Sequence, residues 1–182
     1  MSKLNDIVVL VAESGSGKDT LAQKISEWGY NFIVSTTTRP MREGESRFNP
    51  YLFKSKEEFI KLINEDAFVE YRTYDTLLKG EKDTWYYGVE KTQIEDDEPY
   101  VVVLDIQGLI DFNKVYGDRI ISFYIYVDED TRKERAMGRG GFDESEWNRR
   151  IKDDKIVFNK EAIFNSVDYT VKNYSLNDAI SF

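Results

Sequence analysis

Cysteine and histidine are both missing from the 182 residues, and proline occurs only three times. Without cysteine there are no disulfides and no thiolate metal sites. Without histidine, serine–histidine catalysis and most zinc sites are excluded as well. No apolar run is long enough to span a bilayer, and the opening Met1-Ser2-Lys3-Leu4-Asn5-Asp6 is too polar for a signal peptide. Cytoplasm is the expected compartment. An excess of positive charge is missing too. The net charge of −9 argues against a surface for nucleic acid or anionic membrane, while leaving room for a locally basic cleft that takes a small phosphorylated ligand. A hydrophobic content of 41% and a charged content of 32% describe a soluble globular chain. Its length suits one domain with a sizeable core, or a core with small inserted lobes. There is no internal repeat, low-complexity tract or linker.

What is present is organised around Val8–Thr20, VVLVAESGSGKDT. The run from Ile7 to Val11 reads as a fully buried strand, broken by Ser14-Gly15-Ser16-Gly17 and followed at once by Lys18. Asp19, Thr20, Leu21, Ala22, Lys24 and Ile25 read as the first turns of a helix. This is the strand–loop–helix context of a phosphate-binding loop. Glycines let successive N–H groups turn toward one anion, and the helix N-terminus adds partial positive charge. The match to G-x-x-x-x-G-K-[ST] is incomplete: Ala12 stands for the first glycine and Asp19 for the hydroxyl residue, with Thr20 one place later. A plain Gly-Ser turn is the competing explanation.

Further along, Phe32, Ile33 and Val34 suggest a short strand. The polar stretch Ser35–Glu45 carries Arg39 and Arg42, spaced to hold a dianion among hydroxyls, or else to sit in a solvated loop. Tyr51–Phe53 reads as a short strand, and Ser55 with Glu58 as a capping box that opens a helix. Phe68–Tyr71 reads as a strand interrupted by Glu70, residues 75–84 as an exposed excursion, and Trp85–Gly88 as a strand. A helix is expected from about Glu90, dissolving in the acidic run Glu95–Glu98. Tyr100–Leu104 is a second buried strand ending on Asp105, where parallel sheets bind ligands. Helix Leu109–Tyr116 leads to strand Ile120–Val127. A capping box at Thr131 and Glu134 opens a helix bearing Arg132 and Arg135, with Arg139 beyond. Asp143 caps a helix that runs toward Phe164, and Asp168–Lys172 is a last strand before Asn173. Strands alternating with helices predict an α/β parallel sheet.

These pieces resemble the guanylate kinase family over most of the chain. Ser14-Gly15-Ser16-Gly17-Lys18 matches its phosphate loop, and Ser35-Thr36-Thr37-Thr38-Arg39-Pro40-x-Arg42-x-Gly44-Glu45 its GMP-binding signature. Tyr51-x-Phe53, Phe68-Val69-Glu70, Tyr86-Tyr87-Gly88, Asp105-x-Gln107-Gly108, Arg135-x-x-Gly138-Arg139-Gly140, Arg149 and Asn173 follow in the family's order. The resemblance implies a three-layer P-loop NTPase fold with a parallel core sheet (1–34, 91–134 and 151–182). It also implies an inserted nucleotide-monophosphate lobe (35–90) and an arginine-bearing lid (135–150).

The resemblance further implies ATP-dependent phosphorylation of GMP, with dGMP as a second acceptor, and Mg²⁺ as cofactor. Ser14, Gly15, Ser16, Gly17, Lys18, Asp19, Thr20 and Asn173 would then bind ATP. Ser35, Arg39, Arg42, Tyr51, Glu70, Tyr87 and Asp105 would bind GMP. Lys18, Arg39, Arg135, Arg139 and Arg149 would be catalytic. Thr20 or Asp19, with Asp105, would organise Mg²⁺ largely through water. Small nucleotides are the expected partners of a monomer or homodimer, with no nucleic acid and no membrane. Asp19 and Ala12 depart from the family's loop, Val89 stands where it usually has Ser or Thr near the guanine oxygen, and Val103 replaces the first aspartate of a strand-end pair. Two alternatives stay open. One is the same fold acting on another nucleoside monophosphate or a sugar phosphate. The other is a non-catalytic module that binds phosphopeptides.

Overall fold

The computed structural model describes residues 6–41, 45, 51–78, 81–95, 98–138 and 142–179, with only the backbone of residues 77, 78, 81 and 178. Arg42, Gly44, Arg139 and Gly140, each singled out above, lie outside the described residues. The chain divides into two units: Met1–Phe32 with Asp97–Phe182, and Ile33–Asp96.

The first unit is built on five strands: β1 (Ile7–Val11), β2 (Asn31–Phe32), β7 (Tyr100–Leu104), β8 (Ile120–Tyr126) and β9 (Tyr169–Lys172). They pair in the order β2-β7-β1-β8-β9, every pair parallel. β1 at the centre is buried at every residue, as expected for a strand covered on both faces. Alternation sends Val8 and Leu10 to one face, where they pack with Leu21 and Ala22 of α1 (Lys18–Ser26). α3 (Ile106–Tyr116) packs with β1, β7, β8 and α6 (Lys160–Ser166). Helix, sheet and helix make the three layers of an α/β fold. Each helix starts on a side-chain acceptor where the loop supplies one. Asp105 Oδ1 takes the Gly108 amide at 2.6 Å, and Asn159 Oδ1 takes Ala162 at 2.9 Å.

The second unit is a four-stranded sheet of order β4-β3-β6-β5, formed by β3 (Thr36–Thr37), β4 (Leu52–Phe53), β5 (Phe68–Leu78) and β6 (Glu81–Glu90). α2 (Lys56–Asn64) opens on the expected Ser55–Glu58 capping box. Its fully buried Phe59 stacks on Phe68 with ring centroids 4.4 Å apart and meets Tyr86 at 5.3 Å.

Five expectations are corrected. Residues 75–84 are not an excursion: β5 and β6 pair antiparallel from Phe68–Glu90 out to Leu78–Glu81. Thr73, Tyr74, Thr76, Thr84 and Trp85 favour strands, and the interspersed charges that suggested a loop are absorbed by pairs such as Thr84 Oγ1 to Asp75 Oδ1 at 2.9 Å. The helix from Glu90 is only a 3₁₀ turn, Lys91–Gln93. α4 (Glu129–Gly138) is capped by Asp128, which accepts from the Thr131 amide at 2.9 Å, so Thr131 is inside the helix. The helix from Asp143 ends as α5 (Glu144–Val157) and restarts at Asn159 as α6. The strand expected at 32–34 is Asn31–Phe32. No helix among the described residues is long and apolar enough to cross a membrane.

The starts of two adjacent inner strands are joined by a buried ion pair. Arg119, just before β8, donates Nε and Nη2 to Asp6, just before β1, at 2.9 and 3.0 Å. Asp6→Ala is expected to cost about 3 kcal/mol because it strands a buried guanidinium. Replacing both, Asp6→Leu with Arg119→Met, should cost less than the single change. Urea unfolding of the two variants checks the order.

Candidate active site

Two polar sites occupy the two units. The first lies where β1 ends. Gly15 and Gly17 adopt φ of 82° and 85°, conformations that suit glycine. Space also excludes a side chain: a Cβ on Gly15 would lie 2.7 Å from the Arg132 carbonyl oxygen, and one on Gly17 would lie 2.8 Å from Asn173 Nδ2. Gly17 caps α1 and has no side chain to take up the first N–H groups of this nine-residue helix. Among the described residues, the buried Ser16 Oγ has no hydrogen-bond partner. Lys18 follows immediately, its Nζ 3.2 Å from Asp19 Oδ2. An orphaned hydroxyl, two left-handed glycines and a lysine at a helix start make a cradle for a phosphate.

The loop is held from beneath. Buried Arg132 of α4 donates to the Ser14 carbonyl and to Glu13 Oε1, both at 3.0 Å, while Tyr124 donates to Glu13 Oε2 at 2.7 Å. Arg135 reaches the Ser16 carbonyl at 3.3 Å and the Asn173 carbonyl at 2.8 Å. Asn173 Nδ2 donates to the Ser16 carbonyl at 2.8 Å. Of the residues expected to bind ATP or act on it, Ser14–Lys18, Arg135 and Asn173 thus meet at one loop. Asp19 and Thr20 are exposed on α1. Arg149 stands apart on α5, paired with Glu146 and Asp153. Glu146 is also paired with Arg150, and these bonds pull its carboxyl down to about 2. Asp105 is committed in part to capping α3.

Sequence reasoning missed Asp154. This residue of α5 accepts the Ser14 amide at 2.8 Å and lies 3.5 Å from Arg132 Nη1. No local pattern marks it; only the fold brings position 154 to position 14.

The second site lies on one face of the β5–β6 sheet. The register slips between Phe68 and Glu70, a bulge that turns Phe68 toward α2 and Glu70 to the opposite face. Directly opposed pairs share a face, so Glu70, Arg72 and Tyr74 of β5 lie beside Val89, Tyr87 and Trp85 of β6. Gly88 permits the close approach: a Cβ there would meet the Glu70 carbonyl oxygen at 2.8 Å. Tyr87 meets Tyr51 edge-on at 5.8 Å and Tyr74 at 5.5 Å. The Arg39 guanidinium sits over Tyr51 and Phe53, each 5.4 Å away. It is 5% exposed and donates Nη2 to both oxygens of Glu45 at 2.9 and 3.0 Å. Although burial opposes the charge, Glu45 and the two tyrosine hydroxyls keep Arg39 above its ordinary pKa. Glu70 is buried, its Oε2 3.8 Å from Arg72 Nη1, and Ser35 is half-buried before β3. Arg39, Tyr51, Glu70 and Tyr87 therefore belong to one unit. Glu45, Arg72 and Tyr74 were not singled out as site residues. For Arg72 and Tyr74 the i, i+2 spacing from Glu70 was the signal, hidden by the misread hairpin.

Burial pushes the Asp154 carboxyl above its ordinary 3.8, outweighing the Ser14 amide and Arg132 that favour its charge. A carboxyl raised on folding stabilises the protein most below its unfolded value, and that contribution is lost as pH rises through its folded value. Relative to Asp154→Asn, the wild-type protein should therefore lose stability as pH is raised from 3.5 through the range just above 3.8. Urea denaturation of both proteins at a series of pH values measures this.

A model of the guanylate kinase family matches residues 5–181. Among solved structures, the guanylate kinase from Anaplasma phagocytophilum superposes with a TM-score of 0.63 at 23% identity, over 96% of this chain and 80% of that one. TT1252 from Thermus thermophilus superposes with a TM-score of 0.50 at 15% identity, over 97% and 93%. At these identities the structural likeness speaks for the fold; the family match over nearly the whole length goes further. With its family model matched from residue 5 to residue 181, the chain belongs to the guanylate kinase family.

Proposed function

We propose that this enzyme transfers the terminal phosphoryl group of ATP to GMP, and to dGMP, by direct in-line displacement. One observation carries the reading. Arg39 is buried, boxed by Tyr51 and Phe53 and neutralised by a carboxylate of its own chain, on a unit whose sheet also presents Glu70 and Tyr87. A buried guanidinium beside tyrosines suits a phosphate dianion. A buried carboxylate suits the N1–H and N2 amino group of guanine, whereas adenine offers an acceptor at N1. Ser35 would add a hydroxyl near the base. Arg42 would join Arg39 on the acceptor phosphate.

Proton chemistry asks little of the protein. The second pKa of a phosphate monoester is about 6, so the attacking oxygen of GMP is already ionised at neutral pH. That accounts for a kinase without histidine. What remains is positioning and neutralisation. The loop amides and Lys18 would hold the β- and γ-phosphates of ATP. Arg135, Arg139 and Arg149 would meet the transferring group, and Asn173 would border the adenine. Among the described residues, no group of three or more acidic side chains could by itself hold a metal ion. Thr20 and Asp105 would hold Mg²⁺ largely through water, with other ligands coming from the phosphates. Bound there, Mg²⁺ would supply charge neutralisation.

A coupled assay of ADP formation with GMP, dGMP, AMP, UMP and CMP tests the assignment. Turnover is expected with GMP and dGMP. Lys18→Ala should lower it by about a hundredfold or more, and Glu70→Ala should erase the preference for GMP over AMP. A preference for UMP, CMP or AMP would shift the reading to another acceptor. Absence of turnover with all five would shift it to a binding module.

A further inference from the structure

We propose that Arg72 is a specificity-determining residue that binds O6 and N7 of the acceptor guanine, completing an edge that Glu70 reads from the other end. This rests on the GMP assignment above. Residues 70 and 72 lie two apart on β5 and face the same way, opposite Val89 and Tyr87. Their charged ends are adjacent, with Arg72 Nη1 3.8 Å from Glu70 Oε2. Arg72 Nη1 also donates to the Tyr71 carbonyl at 2.5 Å, which holds the guanidinium against the strand. The Arg72 side chain keeps 23% exposure, enough for a ligand to reach it.

The chemistry matches in order as well as in kind. Along its outer edge guanine presents two donors, the N2 amine and N1–H, then two acceptors, O6 and N7. A carboxylate followed by a guanidinium supplies two acceptors and then a fork of donors. Bidentate arginine on O6 and N7 is the commonest specific contact to guanine. Adenine keeps the N7 acceptor but places the N1 acceptor against Glu70 and the N6 amine, a donor, where O6 would face Arg72. A donor for O6 has to come from somewhere on this face. Val89, fully buried opposite Glu70, has no hydroxyl to offer. Trp85 donates Nε1 to Asp83 at 2.8 Å, and Arg39 faces Glu45 and the Pro40 carbonyl. Ser35, half-buried before β3, offers a single hydroxyl, whereas Arg72, on the same strand and face as Glu70, offers a fork of donors.

The competing explanation is that Arg72 serves only to neutralise Glu70. Three acceptors separate the two: GMP, 7-deaza-GMP, which lacks N7, and 6-thio-GMP, whose sulfur is a poor acceptor. Binding by calorimetry and kcat/KM are measured for the wild-type protein, Arg72→Lys and Arg72→Ala, with thermal melts alongside. The wild-type protein is expected to favour GMP over either analogue by about tenfold or more. Arg72→Lys keeps the charge beside Glu70 and the melting temperature, but it loses the planar fork and should flatten that preference. Arg72→Ala should flatten it too. The inference is overturned if wild-type protein treats the three acceptors alike, or if both variants weaken all three in equal proportion. Failure of wild-type protein to bind GMP at all overturns the GMP assignment itself, and this inference with it.

Discussion

A buried cation needs a counter-charge from its own fold, and that constraint shapes both polar sites. A buried guanidinium without a counter-charge is prohibitively costly. This chain answers with its own acids. Arg39 faces Glu45, Arg72 lies beside Glu70, and Arg132 is set between Glu13 and Asp154. Arg149 and Arg150 share Glu146. The excess of acidic residues, which in the sequence argued against a nucleic-acid or membrane surface, is partly the counter-charge of these arginines.

The two halves use different means to the same end. At the end of β1 the positive potential comes mainly from main chain, a helix start and two left-handed glycines, with Lys18 as the full charge. On the β5–β6 face it comes from side chains locked by aromatic packing, Arg39 between Tyr51 and Phe53, with Tyr87 against Tyr51. On the β5–β6 face the direction of each donor and acceptor is set by strand register.

What could be read from residues alone was what local sequence dictates. The buried run Ile7–Val11, the glycines before Lys18, the capping box at Ser55 and Glu58, and the strand ending at Asp105 all carry their signal within a few positions. The outer hairpin escaped because strand stability there comes from cross-strand partners, which no single strand displays. Asp128 was passed over for Thr131 because both residue types cap helices, and spacing alone favoured the later one. Asp154 was invisible because its partner lies 140 positions away. Glu70 stood out as a flaw in an apolar pattern, and the structure supplies the reason, a bulge that turns it to the other face.

That bulge also separates two tasks that a regular strand would mix. By shifting parity once, at Val69, it sends Phe68 and Tyr71 into the aromatic stack around Phe59 and leaves positions 70, 72 and 74 on a surface that stack does not use. Changes of ligand preference can accumulate on one side of the ribbon while the packing that keeps the lobe folded stays untouched on the other.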